Sequence, residues 1–301
     1  MRRISVLPHL ITLGNAFCGL LAISKGIDAL AVSATDPALY YVKLETACWL
    51  IVLGMVFDAL DGRVARMVGG ASDFGAQLDS FSDALTFGCA PALLAKVLIE
   101  HEAPLVGYPG SPRLHFIAAA SFALMAILRL ARFNLETSAE ESAHRSFKGL
   151  PSPAAAGSVV STILLYLMLS RPEIEVSDGT PTPIGGALAV FPELRVDVPW
   201  WYLPALASML PMLGLLMVSS VRFAHMMSWL TRRGSFFLLV SAVFFAFGFF
   251  AAPIPILFLS FNGFVAYGVW RRLKSGRRGP PEGDDEQDES SEHELFEVSQ
   301  R

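Results

Sequence analysis

Eight runs of apolar residues, each near the length of a membrane-crossing helix, constrain this chain more than any other feature. They lie at roughly 9–32, 44–66, 77–99, 115–133, 152–171, 200–219, 234–251 and 253–272. About 20 residues of helix cross the hydrocarbon core of a bilayer. Backbone N–H and C=O groups in lipid must be satisfied within their own segment, so such runs read as helices. A barrel would need alternating strands of about ten residues, and these runs do not alternate. The predicted fold is all-α: a polytopic membrane helical bundle of about eight transmembrane helices. A hydrophobic content of 53% and a mean hydropathy of +0.50 exclude an ordinary soluble domain. The last two runs are divided only by Ala251, Ala252 and Pro253, so one broken helix, giving seven spans, is the alternative.

The basic residues set the orientation. With the N-terminus inside, inner segments hold Arg2 and Arg3, then Arg63 and Arg66, then Arg132, Arg145 and Lys148. Further inner segments hold Arg222, Arg232 and Arg233, and finally Arg271, Arg272, Lys274, Arg277 and Arg278. Outer segments hold only Lys43, Arg113, Arg171 and Arg195. This bias puts both termini in the cytoplasm. The expected location is a bacterial cytoplasmic (inner) membrane. Arg2 and Arg3 before an apolar run resemble a signal peptide, but without a small-residue cleavage site the run reads as a retained first helix. Residues 172–199, rich in Pro and Gly, read as an outer loop. Residues 279–301 carry Asp284, Asp285, Glu286, Asp288 and Glu289 and read as a disordered acidic tail, the main source of the net charge of -4. Cys18, Cys48 and Cys89 form no C-x-x-C pair and read as small buried residues. No nucleic-acid partner is expected.

Ionisable residues inside spans cost roughly 2.5–3.5 kcal/mol each at the bilayer centre, so each asks for a reason. Four aspartates gather at the inner ends of the second and third runs. Asp58 and Asp61 are three apart, and Asp79 and Asp83 are four apart, so each pair shares one helix face. The connection from Met67 to Gly75 is short, which makes the two helices antiparallel neighbours. Two helices thus turn two carboxylates each toward one space. A hard divalent cation, Mn²⁺ or Mg²⁺, offsets their repulsion and typically also takes phosphate oxygens. Gly62 and Ala65 leave room for a nucleotide or diphosphate to approach the helix backbone. Arg66 offers a planar donor fork for phosphate or carboxylate. The bland alternative pairs Asp58 or Asp61 with Arg63 or Arg66 at the membrane edge.

The string Asp58-x2-Asp61-Gly62-x2-Ala65-Arg66-x8-Gly75-x3-Asp79-x3-Asp83 resembles the signature of the CDP-alcohol phosphatidyltransferases, with all eight fixed positions matching. The resemblance implies a helical membrane fold of about six core spans, here with two added, and an active site near the cytoplasmic face. It implies divalent-metal ligation by Asp58, Asp61 and Asp79, with Asp83 as general base and the fourth carboxylate of the metal cluster. Gly62, Ala65, Arg66 and Gly75 would line the CDP-lipid site. It also implies a homodimer. The flanks LPHLITLGNAFCGLLAI (7–23), RLARFN (129–134) and FKGLPSPAAA (147–156), with Ser72 to Ala92, are similar to the phosphatidylserine synthase branch. His9 stands where that branch has Asn. The implied reaction transfers a phosphatidyl group from CDP-diacylglycerol to L-serine. The implied organisation is a catalytic transmembrane core at 1–170, further transmembrane helices at 171–278 and the tail at 279–301.

Other polar residues have two readings each. Arg129 and Arg132, three apart near the inner end of the fourth run, grip the serine carboxylate or a substrate phosphate, or else snorkel to headgroups. Asn15, with Arg129 and Arg132 a candidate acceptor- or phosphate-binding residue, touches a headgroup or bonds a neighbouring helix, and Asn134 has the same two readings. Lys25 and Lys96 read as snorkelling, Asp28 as the partner of Lys25, and Asp73 as a loop charge. Arg129, Arg132, Arg145 and Lys148 equally suit a phosphorylated acceptor such as glycerol 3-phosphate or inositol phosphate, and choline is a further alternative. A divalent-metal transporter would also use intramembrane carboxylates. Against it, the acids crowd at one membrane face and no inverted repeat is visible.

Overall fold

The computed structural model describes residues 6–68, 73–137, 149–170, 198–219 and 248–275. The elements are α1 (Val6–Val32), α2 (Pro37–Val68), α3 (Asp73–Asp83), a π-helical segment (Ala84–Cys89), α4 (Ala90–Glu102), α5 (Pro112–Thr137), α6 (Ser152–Ser170), α7 (Tyr202–Val218) and α8 (Pro253–Ser275). No strand occurs among the described residues. The chain is an all-α polytopic membrane protein, as its apolar runs require.

Six helical stretches among the described residues are long and apolar enough to cross a membrane: Leu7–Val32, Pro37–Val64, Phe74–Glu102, Pro112–Leu135, Ser152–Ser170 and Pro253–Lys274. They correspond to six of the eight expected runs. The run expected at 200–219 is a shorter apolar helix, Tyr202–Val218. Most of the run at 234–251 lies outside the described residues, as do Arg2, Arg3, Arg145, Lys148, most of the 172–199 segment and the 279–301 tail.

Local chemistry sets the helix ends. α2 starts at Pro37, well before the expected 44, because Asp36 Oδ1 accepts the Leu39 N–H at 2.9 Å and proline suits the first helical position. α2 also runs on to Val68 and α3 starts at Asp73, so the connection is shorter than Met67–Gly75. Gly75 thereby falls in the first turn of α3, and Asp73 starts that helix rather than sitting in the loop. The third span bulges where Pro91 follows. A proline has no N–H for the carbonyl four residues back, and the helix widens before it. The Ala90 N–H instead bonds Leu85 O, five residues earlier.

Burial orders the bundle. The windows within Phe74–Glu102 and Ser152–Ser170 are 72% buried, against 28% for Pro112–Leu135 and Pro253–Lys274. The third span and α6 therefore form the centre, with Phe87, Leu94, Leu98, Val159, Ile163 and Leu164 fully buried between them and their neighbours. Cys18 and Cys48 are buried, whereas Cys89 is only half-buried.

Two charge pairings differ from expectation. Asp28 pairs with Lys43 at 3.7 Å, not with Lys25, because the tight turn into α2 lays Lys43 across from α1. Lys96 pairs with Glu100 one helical turn on, at 2.6 Å, instead of reaching alone to the surface.

Candidate metal and catalytic centre

The four aspartates occupy the facing ends of α2 and the third span. Ligand oxygens of Asp58, Asp61 and Asp79 all lie within 4.8 Å of one another. Asp61 is buried, and the other two are half-buried. Asp61 Oδ2 and Asp79 Oδ1 are shielded from solvent and have no hydrogen-bond partner. Unpaired carboxylate oxygens so placed are costly unless a cation takes them. An oxygen-only donor set of this kind fits a hard divalent metal. Asp83 does not belong to that trio. It sits one turn further along the span, where the π-helical segment begins, and its Oδ1 is turned to a different partner. Three of the four expected ligands thus form one close group, and Asp83 stays within electrostatic reach of all three.

That partner is Asn15 on α1, whose Nδ2 donates to Asp83 Oδ1 at 3.1 Å. Asn15 is fully buried, as is Thr86 of the π-helical segment, whose hydroxyl donates to the Asn15 carbonyl at 2.9 Å. Thr12, one turn before Asn15, stands beside the Asp61 carboxylate. Nearer the start of α1, the His9 and Phe74 rings meet edge to face at 5.5 Å. α1 is therefore a third wall of the centre, which the aspartate spacing alone does not announce. Asn15 bonds a site carboxylate on a neighbouring helix.

The fourth side is α5. Arg129 is half-buried, donates from Nη1 to Ser152 Oγ at 3.1 Å, and keeps its Nε buried without a partner. It lies within electrostatic reach of Asp83. Arg132 is exposed. Asn134 accepts from Ser80 Oγ at 3.0 Å, tying α5 to α3. Gly62 and Gly75 are half-buried beside the aspartates in sequence. The side chains of Ala65 and Arg66 lie outside the described set.

Thr12, Ser80, Thr86 and Ser152 escape sequence reasoning because hydroxyl residues are common in helices. A weak signal exists in hindsight. Thr12 and Asn15 are three apart on α1, and Thr86 follows Asp83 by three, so polar groups repeat on the faces that meet.

A family model described as CDP-alcohol phosphatidyltransferase matches residues 5–191. The CDP-diacylglycerol–serine O-phosphatidyltransferase of Helicobacter pylori is 34% identical over 158 residues, covering 52% of this chain and 57% of that protein. The enzyme of the same name from Bacillus subtilis is 34% identical over 160 residues, 53% of this chain and 76% of its own length. An archaetidylserine synthase of Methanothermobacter thermautotrophicus is 36% identical over 160 residues, 52% of this chain and 58% of that protein. The match thus spans less than two thirds of the Helicobacter and Methanothermobacter relatives.

Proposed function

Since the chain belongs to the CDP-alcohol phosphatidyltransferase family, we propose that it transfers the phosphatidyl group of CDP-diacylglycerol to L-serine, giving phosphatidylserine and CMP. The observation that carries this reading is the carboxylate trio Asp58, Asp61 and Asp79, with Asp83 held separately by Asn15. The serine acceptor rests on the names of the relatives above.

Asp58, Asp61 and Asp79 would hold the divalent metal, Mn²⁺ or Mg²⁺, which when bound offsets negative charge on the CDP diphosphate. Gly62 and Gly75, with Ala65 and Arg66, flank the same end and line the CDP-lipid site. Asp83 accepts the proton of the serine hydroxyl. The serine oxygen bonds to the lipid-side phosphorus as the phosphorus–oxygen bond to CMP breaks, and CMP carries away the released electron pair. No covalent enzyme intermediate is required. Arg129, with its free Nε, grips the serine carboxylate, and Arg132 serves the approach to it.

The same reading makes residues 1–170 the catalytic core, puts the aspartate end and both termini on the cytoplasmic side of a bacterial inner membrane, and makes the working unit a homodimer. Family membership sets aside the metal-transporter alternative.

The test is CMP release by purified protein with CDP-diacylglycerol and Mn²⁺ or Mg²⁺, comparing L-serine with glycerol 3-phosphate, inositol phosphate and choline. Chelator-sensitive release with serine alone is expected. Release with another acceptor instead would keep the displacement chemistry and overturn the serine assignment.

A further inference from the structure

Asn15 makes an unusual investment for a residue whose role is packing alone. It is fully buried in the first span, where a polar side chain needs a reason. Its Nδ2 donates to Asp83 Oδ1 at 3.1 Å, a bond that links positions 68 apart in the chain. An ionised carboxylate only accepts, so the amide must turn its nitrogen toward Asp83. Asn15 Oδ1 is then left buried with no partner. An unsatisfied buried acceptor costs roughly 1–3 kcal/mol. An asparagine that only joined two helices would more economically satisfy both ends.

The surroundings fix this amide in place. Thr86 Oγ1 donates to the Asn15 main-chain carbonyl at 2.9 Å. Gly19 allows that approach, since a Cβ there would stand 2.5 Å from Thr86 Oγ1 and 2.9 Å from Thr86 Cα. Gly54 of α2 closes the other side, where a Cβ would stand 2.7 Å from Thr86 Cγ2 and 3.0 Å from Asn15 Oδ1. Two glycines from two helices therefore let α1, α2 and the π-helical segment converge on one amide. Small residues permit such close crossings in membranes. The π-helical segment starts at the residue after Asp83, and such bulges recur at functional sites.

We propose that Asn15 is a positioning residue for the transfer reaction: by holding Asp83 Oδ1, it leaves Oδ2 directed at the acceptor hydroxyl. Thr86 fixes Asn15 in turn. The inference rests on the reading of Asp83 as the group that takes the acceptor proton. It gives the first span a part in chemistry and not only in the bundle.

Asn15→Leu keeps the side-chain shape and removes the donor. The expected result is a kcat lower by about 10–100-fold, within the range that general-base catalysis supplies. The KM for acceptor and the binding of CDP-diacylglycerol should stay within about twofold, since neither rests on this amide. In an Asp83→Ala background the same change should lower residual CMP release no further, because the group it orients is gone. Thr86→Val should give a smaller kcat loss, about 3–10-fold, again at constant KM. The acceptor used is whichever one the wild-type protein accepts, so a change of acceptor overturns the serine assignment and leaves this inference standing. The contact is also read without turnover, as thermal-unfolding midpoints of the Asn15→Leu, Asp83→Ala and double variants; coupled midpoints are expected. Wild-type kcat in Asn15→Leu, an equal loss in both backgrounds, a kcat loss matched by lost CDP-lipid binding, or additive midpoints would each overturn the proposal. If Asn15→Leu does not accumulate, Asn15→Ser and Thr86→Val carry the same kcat-against-KM comparison.

Discussion

Tyr166 on α6 donates its hydroxyl to Glu102 Oε2 at 2.9 Å, at the end of the third span away from the aspartates. Tyr41 on α2 donates to Oε1 of the same carboxylate at 3.0 Å, and His101 Nδ1 lies 2.9 Å from that oxygen. Glu102 is buried, so these donors replace the water it has lost. Three helices are thereby joined roughly 28 Å along the span from Asp83, at about 1.5 Å per residue. Glu102→Leu leaves two tyrosine hydroxyls and an imidazole without their acceptor. The expected cost is about 3 kcal/mol, seen as a lower unfolding midpoint in detergent. The KM values of protein that remains folded should be unchanged. A wild-type midpoint would show that the carboxylate contributes nothing to holding α2, α4 and α6 together.

Removal of metal should abolish CMP release, and Mn²⁺ should restore it. Asp58→Ala, Asp61→Ala and Asp79→Ala should each lower activity by about 10²–10³-fold, because charge stabilisation by a bound metal is worth several kcal/mol. Asp83→Ala should differ in kind. It should lose turnover while still binding Mn²⁺, because Asp83 stands outside the trio. Electron paramagnetic resonance of Mn²⁺ added to each variant separates these outcomes. Loss of Mn²⁺ binding in Asp83→Ala equal to that in Asp79→Ala would restore the four-ligand arrangement expected from the sequence.

What the sequence made legible was local. The membrane-crossing runs follow from composition, and the shared faces of Asp58 with Asp61 and Asp79 with Asp83 follow from helix geometry. The bond from Asn15 to Asp83 joins residues 68 apart, and no local periodicity encodes it. Nothing local marks Glu102 either, since packing alone brings Tyr41 and Tyr166 to it. Asp28 chose Lys43 over the nearer-numbered Lys25 because a turn, not a helix face, sets that pairing. The π-helical segment left one hint, Pro91, whose missing N–H disturbs the preceding turn without saying how the helix absorbs it.

Arg129 and Arg132 are three apart in sequence yet differently placed. Arg129 is half-buried, anchored to Ser152 and near Asp83, while Arg132 is exposed. Arg129→Lys keeps the charge and loses the planar fork. A charged hydrogen bond contributes about 1.5–3 kcal/mol, so the serine KM should rise roughly 10–100-fold in Arg129→Ala and less in Arg129→Lys. Arg132→Ala should stay within about threefold, as an exposed pairing would. Steady-state kinetics at saturating CDP-diacylglycerol decide it, and equal effects at both positions would remove the distinction drawn from burial.

Gly149 lies at the junction where the chain enters α6, with φ of 89°. Residues other than glycine rarely adopt that conformation. A Cβ there would also stand 2.3 Å from the Met217 carbonyl oxygen and 3.2 Å from that of Ser219, both backbone atoms that cannot swing aside. The next residue, Leu150, is fully buried and donates its N–H to Leu216 O at 3.0 Å, locking the junction to the end of α7. Gly149→Ala therefore combines a disfavoured backbone with a collision against another helix end. Backbone strain of this kind costs about 1–3 kcal/mol before any clash is counted. The variant should show a lower unfolding midpoint and poorer accumulation in membranes. Because α6 carries Ser152, the anchor of Arg129, any folded fraction should also have a raised serine KM at unchanged Mn²⁺ affinity. A variant with a wild-type midpoint and wild-type KM would mean that the junction relaxes freely and that α7 does not hold α6 in register.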